Sequence, residues 1–350
     1  MDPVLLSIQL LLGFIGILGV ATGEPSVVVE HAGRFLGAFL LTLVVGRMKP
    51  SAIVRLSPFA YVVTLGLLIL VLFKGISPDG SASHRWLDLG FFTLQPSELM
   101  KVAVIAYLAS FFHNHLGNTP VWRPTLVIGL ACGLILLQPD LSTSVFTFLM
   151  ALGIMFIGPV KPGKVLAVGG LALVVGVLVG SMLLSDFTYF QERITGFLDM
   201  RGEQTQTQGI SYQAAQARTV ILSAGLVGIG PGRPNRVPEA ETDMVAVSVT
   251  QALGFLGIGT VITLFVLLGV RGLKIASSVR GPASLLAAGA TIYICGQAGL
   301  NLGVAAGLLP VTGIPLPFLS YGLNSLLSVS LAMGFIHGAY RQARNGIDLA

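Results

Sequence analysis

"LVIGLACGLILLQPDLSTSVFTFLMALGIMFI", residues 126–157, carries one charged side chain, Asp140, in an otherwise apolar or weakly polar run. Runs of this kind match the roughly 30 Å hydrocarbon core of a bilayer. A soluble domain would carry about 25% charged residues; this chain of 350 residues carries 10%. The apolar runs are continuous rather than alternating, which excludes a membrane β-barrel. The quoted stretch is broken only by Gln138-Pro139-Asp140. It reads either as two short spans in a hairpin or as one re-entrant element with an irregular turn.

Working outward, the sequence predicts an all-α, polytopic transmembrane helix bundle of about ten spans in a single membrane domain, 1–350. The expected spans are 4–21, 33–48, 57–73, 97–113, 123–137, 141–158, 164–185, 244–270, 282–304 and 319–340. Met1-Asp2-Pro3 lacks a basic region and a cleavage site, so the first run is expected to be a span and not a removed signal. Small residues such as Gly129, Gly133, Gly176 and Gly180 allow close helix packing. Cys132 and Cys295 lie in apolar runs and read as small buried hydrophobes, with no disulfide framework or metal site.

Lys and Arg set the orientation. Arg47, Lys49, Arg55, Lys161, Lys164, Arg271, Lys274, Arg280, Arg341 and Arg344 all fall on one side of a ten-span chain. That side is expected to be cytoplasmic, with both termini there. Of fifteen acids, only Asp2 and Asp348 share it. The polar chemistry is therefore expected outside. The longest connection, 186–243 between spans seven and eight, is also outside, and "ISYQAAQARTVILSAGLVGIG" within it suits an amphipathic interfacial helix. The net charge of +5 is that of basic cytoplasmic loops and does not argue for nucleic-acid binding.

Several residues carry possible chemistry. Gln95-Pro96-Ser97 reads as a helix start. Glu98 and Lys101, three apart, then share a face, either as a structural ion pair or lining a polar cavity open to the outside. Asp140 either caps the next helix or joins the same site. Arg85, beside Trp86, is either an interfacial anchor or a fork for a lipid pyrophosphate. Asp243 either caps a helix or, held half-dry beside Glu239 and Glu241, serves as a general base or cation ligand. "GLLPVTGIPLPFLSYGLNSLL", 307–327, places irregular backbone at membrane depth, which is tolerated only where it is buried or lines a cavity. The hydroxyls of Thr312, Ser320 and Tyr321 are available there. "GPVKPGKV", from Gly158, has Val165 where a P-loop needs Ser or Thr, so no nucleotide is expected. The histidines are scattered.

Six segments in order, "HRWLDLGFFTLQPSELMK", "QPDLSTS", "RITGFLDM", "SYQAAQA", "PEAETD" and "NLGVAAGLLPVTGIPLPFLSYG", resemble the SEDS family (shape, elongation, division and sporulation proteins). The likeness runs from about 80 to 340 and is closer to the elongation branch; the division branch usually has Lys-Gly in place of Thr312-Gly313. The resemblance implies a multi-pass protein of the bacterial cytoplasmic membrane. It also implies polymerisation of lipid II, the undecaprenyl-pyrophosphate-linked disaccharide-peptide, with a class B penicillin-binding protein as partner. Asp243 matches the family's proposed catalytic acid in "PExxTD", and Glu98 and Lys101 match another pair the family needs. This sequence departs from the family at Glu241 (usually His), Met244 (often Phe), Gln251-Ala252 (often a Glu pair) and Leu323-Asn324 (usually Gly-Ser). On that basis Asp243 is the expected base, and Arg85 and Lys101 are the expected partners of the pyrophosphate. A divalent cation (Mg or Mn) on Asp243, Glu239 and Glu241 would assist. The rivals are a lipid II flippase, a proton-coupled transporter, or a scaffold that recruits the penicillin-binding protein.

Overall fold

Proline opens many of the helices, at the position where its missing N–H costs nothing. The computed structural model describes residues 1–77, 84–90, 92–115, 121–183, 210–235 and 237–346. Its helices are α1 (Pro3–Gly23), α2 (Val28–Val45), α3 (Pro50–Lys74), α4 (Pro96–Asn114), α5 (Trp122–Leu136), α6 (Leu141–Ile157), α7 (Pro162–Leu183), α8 (Ile210–Ala224), α9 (Val245–Ser278), α10 (Pro282–Ala305) and α11 (Leu323–Arg344). A two-residue hairpin, β1 (Leu87–Asp88) on β2 (Thr93–Leu94), precedes α4. Each expected span falls on a helix. Among the described residues, length and apolarity alone qualify five to cross a membrane: Pro3–Gly23, Pro25–Val45, Pro50–Lys74, Val245–Ser278 and Pro282–Ala305. Trp122–Leu136, Leu141–Ile157 and Pro162–Gly176 are shorter apolar helices.

α4 needs no apolar face toward lipid, because fifteen of its nineteen residues are buried. It packs against α3, α6, α10 and α11 and forms the axis of the bundle. That position explains how Glu98 and Lys101 exist in a membrane chain at all.

The Gln138-Pro139-Asp140 break resolves as a helical hairpin. Asp140 caps α6, its Oδ1 accepting from Thr143 N–H at 3.2 Å. Ser144 Oγ donates to Cys132 O across the pair at 2.9 Å. Gln138 Nε2 donates to Leu68 O at 3.1 Å and fastens the turn to α3.

The first residues of the chain are gripped at one end of the bundle. Asp2 is fully buried and accepts from Arg271 Nε and Nη2 at 2.9 and 2.7 Å. Its backbone N–H donates to His337 Nδ1 at 3.2 Å. The start of α1, the last turns of α9 and the last turns of α11 therefore meet at one end of the bundle.

Of the long connection 186–243, residues 186–209 and 236 lie outside the described residues, and "RITGFLDM" with them. The expected amphipathic helix is α8. Its Ala217 packs with Val237, Ala240, Met244, Val247 and Val304 in a small second core, while Leu222 points outward.

α9 is not continuous. Gly254 takes φ 66° and ψ −165°, a region essentially reserved for glycine. The segment after α8 fills the break with backbone bonds. Phe255 and Leu256 N–H donate to Gly225 and Leu226 O at 3.0 and 3.1 Å, and Ile229 and Gly230 N–H donate to Gln251 and Ala252 O at 2.9 and 3.2 Å. A Cβ on Gly254 would sit 2.3 Å from Leu226 O, and one on Gly228 (φ 76°) 2.4 Å from Ala252 O. Irregular backbone at this depth survives because the neighbouring segment satisfies it.

Candidate functional site

The structure sorts the expected site residues into three places. The first is the acid loop, 237–244, at the start of α9. Glu239 adopts φ 57° and is exposed, and its Oε2 accepts from the Thr242 hydroxyl at 2.7 Å. Glu241 and Asp243 are half-buried. Three successive carbonyls of the loop are held by the far side of the site. Glu241 O accepts from Tyr321 N–H at 2.8 Å, Thr242 O from Ser320 Oγ at 2.7 Å and Asp243 O from Asn301 Nδ2 at 2.7 Å. Ser320 Oγ also accepts from Leu316 N–H at 2.7 Å, so this hydroxyl welds two loops. The Tyr321 hydroxyl donates to Glu30 Oε2 at 2.7 Å, and the Arg34 guanidinium, paired with Glu30, lies 4.2 Å from the Tyr321 ring centre. Thr312 is half-buried in the segment leading to this wall.

The second place is closed. Glu98 and Lys101 are 3% and 1% exposed and face each other at 2.6 Å. Lys101 Nζ also donates to Gln297 Oε1 at 2.9 Å and lies 5.1 Å from the Tyr293 ring centre. Glu98 Oε2 accepts from Ser328 Oγ at 2.9 Å and, more weakly, from Tyr293 OH at 3.4 Å. The pair therefore joins α4 to α10 and α11 inside the bundle instead of lining a cavity open to the outside. A buried ion pair holds its charge only when every lone pair and proton is met, and this network comes close to that.

The third place is the α5–α6 turn. Arg85 Nε donates to Gln138 O at 3.1 Å, Nη2 donates to Pro139 O, and Nη1 lies 3.8 Å from Asp140 Oδ1. Carbonyls at a helix end lack intrahelical partners, and a guanidinium is suited to collect them. Arg85 and Asp140 thus close the α5–α6 turn, where the sequence suggested a pyrophosphate fork and a shared site.

The expected ligand set of Asp243, Glu239 and Glu241 does not form. Among the described residues no three of His, Cys, Asp and Glu are grouped to hold a metal ion. The reason is local: the tight turn at Glu239 gives its carboxylate to Thr242 instead of to a common centre.

Sequence reasoning overlooked Tyr293, Gln297 and Asn301, which lie four apart and share one face of α10. An amide or phenol within an apolar span must find a partner, and that spacing was the available signal. It also overlooked Glu30 and Arg34, i and i+4 at the start of α2. Asn324, a departure from the family pattern, has a clear task. Its Nδ2 donates to Thr93 O at 2.9 Å and its Oδ1 accepts from Gln95 N–H at 3.0 Å, so it pins the β-hairpin to α11.

Fold and site together define a multi-pass helical membrane protein with a hydrogen-bonded acid loop at one end of the bundle. A family model described as a cell cycle protein, covering FtsW, RodA and SpoVE, matches residues 14–345, and the chain belongs to this family, the SEDS proteins. It is 36% identical over 295 residues to a probable peptidoglycan glycosyltransferase FtsW of Coxiella burnetii, covering 80% of this chain and 77% of that one. It is 33% identical over 300 residues to stage V sporulation protein E of Bacillus subtilis, covering 82% and 80%. Among solved structures, one described as coordinating polymerization and crosslinking in a peptidoglycan synthase complex superposes with a TM-score of 0.82 at 26% identity, covering 98% of each chain. The rod shape determining protein RodA of Thermus thermophilus shares the fold, with a TM-score of 0.71 at 23% identity and 97% of each chain covered.

Proposed function

We propose that this chain is a peptidoglycan glycosyltransferase that joins lipid II units into glycan strands at the outer face of the bacterial cytoplasmic membrane. The observation that carries the reading is the acid loop. Asp243 stands half-buried on backbone held at three successive carbonyls, in the position of the family's proposed catalytic acid.

The acceptor's sugar 4-hydroxyl attacks the anomeric carbon of the donor. Its proton passes to the Asp243 carboxylate as the new C–O bond forms. The bond from that carbon to the pyrophosphate oxygen breaks, and the lipid pyrophosphate leaves with the electron pair. Attack from the opposite face turns the α-linked donor into a β-link. A positioned general base contributes on the order of 10²–10⁴ in rate. Lys101 is enclosed and Arg85 is engaged at the α5–α6 turn; Arg34, on the rim beside Tyr321 and itself paired with Glu30, is one guanidinium placed to meet the departing phosphates. A class B penicillin-binding protein is the proposed partner, crosslinking the peptides of the strands this chain extends.

The test uses labelled lipid II in sealed vesicles containing the full-length chain. Glycan polymer on the outer face is expected. Transfer of lipid across the bilayer without polymer would identify a flippase instead, and the absence of both activities would leave the recruiting scaffold. Within the family we assign the elongation role on "SYQAAQA" and Thr312-Gly313. Depleting the protein in its host is then expected to round the cells while septa continue to form; filaments would assign it to division.

A further inference from the structure

Asn301 is 2% exposed on α10 and directs its amide nitrogen at two carbonyls, Asp243 O at 2.7 Å and Ile314 O at 2.8 Å. Its orientation is unambiguous. Turning the amide over would set Oδ1 against both carbonyl oxygens, and Oδ1 as placed has no hydrogen-bond partner. One turn earlier, Gln297 Nε2 donates to Pro315 O at 3.0 Å and to Ser325 Oγ at 3.1 Å, while its Oε1 accepts from Lys101. Two amides on one helix face therefore grip adjacent carbonyls of the 307–321 segment. Only Asn301 reaches beyond it to the backbone of the catalytic acid itself.

We propose that Asn301 is a positioning residue for glycosyl transfer: its forked amide nitrogen ties the Asp243 main chain to the Ile314 carbonyl and so fixes where the Asp243 carboxylate meets the acceptor hydroxyl. The inference rests on the reading of Asp243 as the base. Catalytic groups have to be held within about 0.5 Å of their productive position, and a misplacement of about 1 Å costs on the order of 10²-fold in rate. Ser320 and the Tyr321 N–H hold the two preceding carbonyls, so losing Asn301 loosens the loop at its catalytic residue without releasing it. Gln297 extends the same brace to the Glu98–Lys101 pair, which gives that enclosed pair a route to the site without touching substrate.

The experiment measures polymerisation of labelled lipid II by the full-length chain in proteoliposomes, with its transpeptidase partner in every sample. Asn301→Ala is expected to lower kcat about 10- to 100-fold while KM stays within about threefold, because an interaction felt in the transition state is lost and ground-state binding is not. Asn301→Ser keeps one donor and should fall between the two. On an Asp243→Asn background, Asn301→Ala should remove no further activity, since it acts through the missing carboxylate. A kcat near wild type in the alanine variant overturns the proposal. So does a raised KM at unchanged kcat, or the same fractional loss repeated on the Asp243→Asn background. If Asp243→Asn alone polymerises at the wild-type rate, the base assignment falls, and that result needs no change at Asn301. Should the alanine variant fail to fold, the serine variant carries the same comparisons.

Discussion

Asp243→Asn is expected to reduce lipid II polymerisation by about 10²–10⁴-fold while leaving the purified chain folded. The substitution is isosteric, and the three carbonyl anchors of the loop use backbone oxygens that it does not alter. The proton acceptor is lost. The acid limb of the pH–rate profile, which reports protonation of the base, should disappear from the residual activity. Asp243→Glu keeps the carboxylate but advances it by one methylene, and should recover part of the rate. Full activity in the asparagine variant, at unchanged protein level and melting temperature, would remove the residue from the chemistry.

The second large effect falls on stability. Lys101→Ala leaves Glu98 buried with only hydroxyl donors from Ser328 and Tyr293. Removing one member of an enclosed ion pair costs about 3–5 kcal/mol. A marked fall in the melting temperature of the detergent-purified chain is therefore expected for Lys101→Ala, and likewise for Glu98→Ala. Replacing both residues together, as Glu98→Gln with Lys101→Met, should cost less than the sum of the two single losses, because neither charge is then stranded. Unchanged melting in the single variants with abolished polymerisation would return the pair to direct contact with substrate.

The sequence conveyed what depends on order along the chain and lost what depends on rotation about a helix axis. The spans were legible because apolar runs of bilayer length have few other uses. The α5–α6 hairpin was half legible: Asp140 as a cap follows from its place before Leu-Ser-Thr, but nothing in "QPD" shows that Arg85 closes the turn from fifty residues away. Glu98 and Lys101 were correctly paired by spacing. Whether they faced a cavity or a core depended on α4 standing at the centre of the bundle. The three acids of "PEAETD" lie close in sequence, yet a left-handed residue at Glu239 turns the first toward Thr242, so proximity in the chain did not become a ligand set. Asn301 and Gln297 were readable as amides inside the expected span 282–304 and were passed over.

The crossing of Gly228 and Gly254 closes a loop of chain with main-chain bonds, joined by the Gln251 amide on Arg233 O, and the acid loop hangs inside that closure. The main-chain bonds ignore which side chains flank them but cannot absorb a slip in register. Sliding either strand by one residue would press a side chain onto a carbonyl where only hydrogen fits. The interval from the crossing to Asp243 therefore behaves as a ruler whose count of residues is fixed.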